Sequence, residues 1–331
     1  MKDNGLLVQY FNANTPADQT LWAKAAKDAA TLKKLGATAV WFPPATKGAA
    51  GKDDRGYAPY DLGEFNQKGS VGTRYGTKKE YLEAIDAMKA QGINVYADIA
   101  VRQKLGADSV EKITAADFNA KDIPQMIGNK KIVGALSKFT FPGRKSKYSK
   151  FKWNWNHFAG IDWQQDDFKR RVCELSGMTE TEAEKKYKLS KYDYIIGSEL
   201  DLYNQEVYDE LMAWAKWYED VTGVDGFRFQ EAEKIPGWFI RDFAEAASNA
   251  GEEEKEIFTV GDFWHWRCDY INDYIASADN QPSMFDVPLH FSFHDASVAE
   301  GEYDLSRLLD GSMMMSNPAK AVTFVENHES Q

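Results

Sequence analysis

The feature that most constrains this chain is an alternation. Short β-type runs at 6–11, 39–43, 94–101, 224–230, 257–263, 284–291 and 321–326 are interleaved with amphipathic helical stretches at 20–35, 78–91, 206–222, 237–250 and 268–278. Repeated strand–helix units of this kind specify a parallel sheet with helices packed against it. In the first helical stretch Leu21, Ala25, Ala29, Leu32 and Leu35 recur at helical spacing and Gly36 supplies the stop. Leu211, Trp214 and Trp217 form a similar stripe, which reads as core rather than as a ligand platform.

A length of 331 residues suits one large α/β barrel carrying an inserted subdomain. The insertion is visible as residues 102–205, rich in Lys, Gly, Tyr and Trp and too long for an unstructured loop. The expected division is a barrel built from 1–101 and 206–331, with a separate domain at 102–205. The sequence stops at Gln331, five residues past the seventh run. An incomplete barrel with an unpaired edge is therefore expected, with a protein partner or self-association at that edge as one way to cover it.

Charge narrows the partners. With 40 basic and 51 acidic residues the net charge is −11, and no basic block interrupts the chain, which argues against nucleic acid and anionic membranes. The apolar run Leu6-Leu7-Val8 is too short for a leader, and no window reaches transmembrane length, so a cytoplasmic location is expected. Cys173 and Cys268 have no metal-site spacing and read as free thiols.

Several longer phrases are more specific. They are Trp41-Phe42-Pro43-Pro44, Tyr60-Asp61-Leu62-Gly63-Glu64-Phe65, Phe141-Pro142-Gly143-Arg144, Phe151-Lys152-Trp153-Asn154-Trp155, Val224-Asp225-Gly226-Phe227-Arg228-Phe229-Gln230 and Phe285-Asp286-Val287-Pro288-Leu289-His290. In this order they resemble the α-amylase family of retaining glycosidases (glycoside hydrolase family 13), most closely its liquefying type, over essentially the whole chain. The resemblance implies a TIM-type (β/α) barrel with an inserted B domain after strand three and an α-1,4-glucan or maltooligosaccharide as ligand. It also implies three carboxylates at the C-terminal ends of strands four, five and seven.

Those three positions are all changed. The nucleophile position holds Gln230, the acid/base position Asp262 in Val260-Gly261-Asp262, and the third carboxylate position Glu329 in Asn327-His328-Glu329. A neutral amide lacks the charge and nucleophilicity needed to form a glycosyl ester. The other two keep a carboxylate but move it by one methylene. By resemblance Arg228, His328 and Tyr57 are pocket residues, and Gln103 lies where the family pocket His is replaced. Trp264-His265-Trp266, directly after Asp262, lies at the cleft rim and reads either as a platform that stacks glucose rings or as packing against a barrel loop.

The family's calcium site is altered as well. Arg102 stands in place of an Asn ligand, Ala159 and Tyr203 in place of Asp, and Lys234 in place of a His that gives its carbonyl. Asp193, Glu199 and Asp201 remain as oxygen donors. The expectation is a dismantled site with no cofactor, ion pairs from Arg102 and Lys234 to Asp193 and Glu199 replacing the metal.

Three readings follow from the sequence. One is a catalytically impaired α-amylase scaffold that retains glucan binding. Another is an active endo-hydrolase using a relocated carboxylate such as Glu231. The last is a non-catalytic structural or regulatory partner acting through the open edge.

Overall fold

The computed structural model describes residues 5–118, 126–145, 147–166, 169–175, 197–251 and 254–330. Its main sheet has seven strands: β1 (Leu7–Gln9), β2 (Ala39–Phe42), β3 (Asn94–Ile99), β4 (Gly226–Phe229), β5 (Phe258–Gly261), β6 (Ser283–Phe285) and β7 (Ala321–Val322). They lie side by side in sequence order, every neighbouring pair parallel. That is the wall of a (β/α) barrel.

Strand alternation sorts the residues between two faces. Val40, Phe42, Val95, Ala97, Ile99, Phe227 and Phe229 belong to the large apolar cluster shared with the helices. Trp41, Val260 and Phe285 belong to a separate cluster with Phe11 and Val287, on the inner side. The inner side also carries Asp98 and Arg228, which sit opposite each other in the β3–β4 register.

The helices are α1 (Leu21–Lys34), α2 (Lys78–Ala90), α3 (Gln205–Thr222), α4 (Gly237–Ser248), α5 (Cys268–Ser277) and α6 (Val287–Val298). Local chemistry fixes their ends. Thr77 and Glu80 form a reciprocal capping box for α2. Asn204 caps α3 by accepting from Glu206 and Val207, and Gly223 closes it in the left-handed region at φ 63°. Within α3, Leu211 and Trp214 are buried in the core and Trp217 packs against it.

One expectation is corrected. The run 284–291 is not one strand, because β6 ends at Phe285 and α6 begins at Val287. Asp286 accepts a hydrogen bond from the Leu289 N–H, and Pro288 falls in the first turn, where a missing donor costs nothing.

The chain between β3 and α3 builds a second, wholly antiparallel sheet from Gln103–Lys104, Ser109–Phe118, Met126–Lys138, Phe158–Gln164, Lys169–Glu174 and Ser198–Leu200. Its junction with the barrel is polar and buried. Arg144 pairs with Asp61 at 3.5 Å, and Tyr148 donates to the same carboxylate at 2.9 Å. Lys104 is buried beside them, its ammonium 4.9 Å from the Trp153 ring, and burial holds it down to about 7.

Among the described residues β1 and β7 do not pair with each other, and a groove of about 700 Å³ lies beside them, lined by Leu7, Gln9, Trp41, Phe285, Val322 and Phe324. No helix among the described residues is long and apolar enough to cross a membrane.

Candidate active site

Arg228 organises the C-terminal end of the sheet. It is completely buried on β4, and such a charge persists only when paired. Its Nη1 donates to both oxygens of Asp98 at 3.1 and 3.2 Å, and its Nη2 donates to Asp262 Oδ2 and to Glu329 Oε1, the latter at 3.3 Å. One guanidinium thus gathers carboxylates from β3, the end of β5 and the segment after β7. Of the three positions the resemblance marks, Asp262 and Glu329 converge here.

Gln230 lies one residue beyond β4, its N–H donating to Ile99 O at 3.2 Å. The strand expected through Gln230 therefore stops at Phe229. Directly afterwards Glu231 takes a left-handed conformation with φ 49°, a turn that re-aims its side chain. The Arg228 Nε, two residues before Gln230, is buried and has no acceptor among the described residues. Asp262 Oδ1 is likewise buried and unpartnered among them.

Tyr57 and His328 form one wall. Their rings stack with centroids 5.4 Å apart and planes 10° from parallel, and Tyr57 Oη lies 2.9 Å from His328 Nε2. The Tyr57 hydroxyl donates to Asp98 Oδ2 at 2.7 Å, and the Trp41 indole donates to the same oxygen at 3.1 Å. A phenol has one proton, so His328 Nε2 carries the hydrogen in the second contact, a tautomer assigned from the network. Burial, with Arg228 and Arg55 adding repulsion, pushes His328 down to about 3, so the imidazole is neutral in ordinary buffers. Gln103 is buried beneath this wall and donates from Nε2 to Tyr57 O at 3.1 Å, holding the tyrosine's backbone.

The carboxyls feel burial most. It raises Asp262 well above the ordinary carboxylate range, Arg228 pulls back, and Glu329 and Glu233 push further up. Burial likewise raises Asp98 against the pull of Arg228, Tyr57 and Trp41. Glu233 is a carboxyl that no motif marked. Its stem is partly exposed, but Oε2 is shut off from solvent with no partner among the described residues, and burial pushes it up to about 7. Asp98 and Trp41 were also missed as site residues, although Asp98 holds both Arg228 and Tyr57.

The rim tryptophans part company. Trp264 packs edge-on against His290, Phe291 and Phe324, and its indole N–H is buried. Trp266 stands out into solvent.

With this geometry in view, comparison with known proteins is decisive. The family described as "Alpha amylase, catalytic domain" matches residues 30–331. The chain belongs to the alpha-amylase family. It is 41% identical over 333 residues to an alpha-amylase of Geobacillus stearothermophilus, covering 99% of this chain and 60% of that protein. To the glucan 1,4-alpha-maltohexaosidase of Bacillus sp. (strain 707) it is 38% identical over 333 residues, covering 99% of this chain and 64% of the relative. To the cytoplasmic alpha-amylase of Escherichia coli (strain K12) it is 35% identical over 335 residues, covering 99% and 67%. The chain thus spans about three-fifths of the length of the first two relatives. An Anoxybacillus alpha-amylase structure superposes with a TM-score of 0.60 at 17% identity, over 98% of this chain and 60% of that one, which supports the fold.

Of the positions that the resemblance marks for calcium, Arg102 is buried and its Nη1 lies 3.3 Å from Glu231 Oε2. A guanidinium has no lone pair to give a metal. Glu199 sits in the strand Ser198–Leu200, paired in register with Gln103. Asp201 accepts the Tyr203 N–H at 3.1 Å, and Lys234 ends a short 3₁₀ turn after β4. Asp193 lies outside the described residues. Among the described residues no group of three or more His, Cys, Asp or Glu is arranged to hold a metal.

Proposed function

We propose that this protein is an α-amylase scaffold that binds α-1,4-linked glucan at the barrel mouth and does not carry out the covalent step of hydrolysis. The observation carrying the reading is the neutral amide of Gln230 directly after β4, the strand whose Arg228 gathers Asp98, Asp262 and Glu329. A retaining glycosidase needs a carboxylate nucleophile close to its general acid, and the sugar–enzyme ester cannot form on an amide. Glu231, the adjacent carboxylate, is engaged in an ion pair with Arg102. The rest of the pocket remains equipped for a neutral polyol: Tyr57 and His328 offer a flat aromatic wall, and the partly exposed Glu329 offers a hydroxyl acceptor. The relatives' names supply the sugar class.

Titration calorimetry with maltoheptaose tests this directly. The expected trace is saturable heat that returns to baseline after each injection. Sustained heat after injection would mean turnover and would overturn the impaired reading, and a flat trace would remove glucan binding.

The same reading takes the Arg102–Glu231 pair as the replacement for a metal at the junction. Thermal melting with EDTA and with added Ca²⁺ is expected to give the same midpoint, because a ligand that does not bind the native state cannot stabilise it. A midpoint that falls in EDTA and recovers with Ca²⁺ would refute the replacement.

A further inference from the structure

A second aromatic site lies outside the barrel mouth. Between the β5–α5 connection and one face of α6 is a groove of about 550 Å³, within the range of roughly 300–1,000 Å³ typical of small-ligand sites. Asp262, Glu329 and Tyr57 are not among its lining residues. Its wall is Trp266, 69% exposed, and its floor is the α6 face made by Pro288, Phe291 and Ser292, with Phe291 39% exposed. Asp295 follows on the same helical face and Asp310 closes the far side.

Trp266 is not a loose surface side chain. Behind it the His265 ring lies nearly parallel at 5.9 Å and 19°, and His265 in turn stacks on Tyr270 at 4.4 Å and 24°. Arg267 caps Tyr270 with its guanidinium 4.5 Å from the ring, clipped by Asp269 through bonds of 3.0 and 2.5 Å. The His265 Nδ1 accepts the Arg267 N–H at 3.0 Å, which fixes the turn. This ladder holds an indole whose surface is largely open to water, a costly arrangement for an apolar surface without a ligand.

The lining selects the occupant. A flat indole with an apolar floor accepts the C–H face of a pyranose ring, and the carboxylates of Asp295 and Asp310 accept its hydroxyls. An anionic ligand is opposed, because three carboxylates line the groove against one guanidinium that Asp269 already holds. Trp264 packs against Phe291, so the Phe291 ring that floors this groove also backs the cluster behind it.

We propose that this groove is a second α-glucan site, stacking a short stretch of a maltooligosaccharide on Trp266. The proposal rests on the α-glucan reading for the sugar class. The test compares maltoheptaose stoichiometry by calorimetry for the unaltered chain and for Trp266→Ala, with Asp295→Ala as a second variant that leaves the aromatic ladder intact. Two sites per chain are expected, with Trp266→Ala keeping one and adsorption to insoluble starch weakened at least tenfold. Asp295→Ala is expected to weaken the same site alone. A single site lost in Trp266→Ala would also uphold the groove while removing the barrel-mouth reading. One site of unchanged affinity in both variants would overturn the groove and leave the mouth reading standing. No binding by the unaltered chain would overturn both.

Discussion

Giving all three positions the residues that the resemblance implies, Gln230→Asp with Asp262→Glu and Glu329→Asp, is expected to raise reducing-sugar release from maltoheptaose by at least ~10⁴-fold over the unaltered chain. The size follows from the nucleophile, since losing such a residue costs on the order of 10⁴ to 10⁶ elsewhere. Arg228, on the same face of β4 two residues earlier, already gathers Asp98, Asp262 and Glu329 at the site. Gln230→Asp alone is expected to recover only part of the gain. Asp262 and Glu329 would each still be displaced by one methylene, and ~1 Å at a reacting centre can cost ~10²-fold. A reducing-end assay across the single, double and triple variants reads the series. A folded triple variant that remains silent would place the defect elsewhere in the pocket, with Gln103 the first suspect because it occupies the altered strand-three position under Tyr57.

What the sequence disclosed follows the range over which each signal acts. The seven strands and most helices were legible because β runs and helical spacing are local patterns. The run after Phe285 was misread because its apolar residues fit either period. The decisive features were the Asp286 side chain and Pro288, a helix start hidden in a β-like composition. Site positions were legible only through long ordered phrases, and their partners were not. Asp98 and Arg228 are 130 residues apart, so no local pattern marks Asp98 as the anchor of both Arg228 and Tyr57. The left-handed turn at Glu231 brings it to Arg102, an ion pair not foreseen from sequence. Trp264 and Trp266 look alike in sequence, yet packing turned one onto His290 and Phe324 and left the other in water.

Arg228→Met is expected to be the most destabilising single substitution at the site, by about 3–5 kcal/mol, because it leaves buried carboxylates without their cation. Methionine approximates the arginine stem, so packing against the Trp41 ring, 4.7 Å from the guanidinium carbon, is largely kept. The loss therefore reports charge rather than cavity. Its pH dependence has a definite sign. Burial already raises Asp98 and Asp262, and removing Arg228 takes away the largest opposing influence on each. A carboxyl raised in the folded state binds protons more tightly there than in the unfolded chain. Its favourable contribution is complete below the unfolded value and disappears as pH rises through the folded one. The gap between variant and unaltered chain should then widen from pH 5 to pH 8, and urea unfolding at the two values measures it. A pH-independent gap would mean that the carboxyls around Arg228 are already neutral in the unaltered protein.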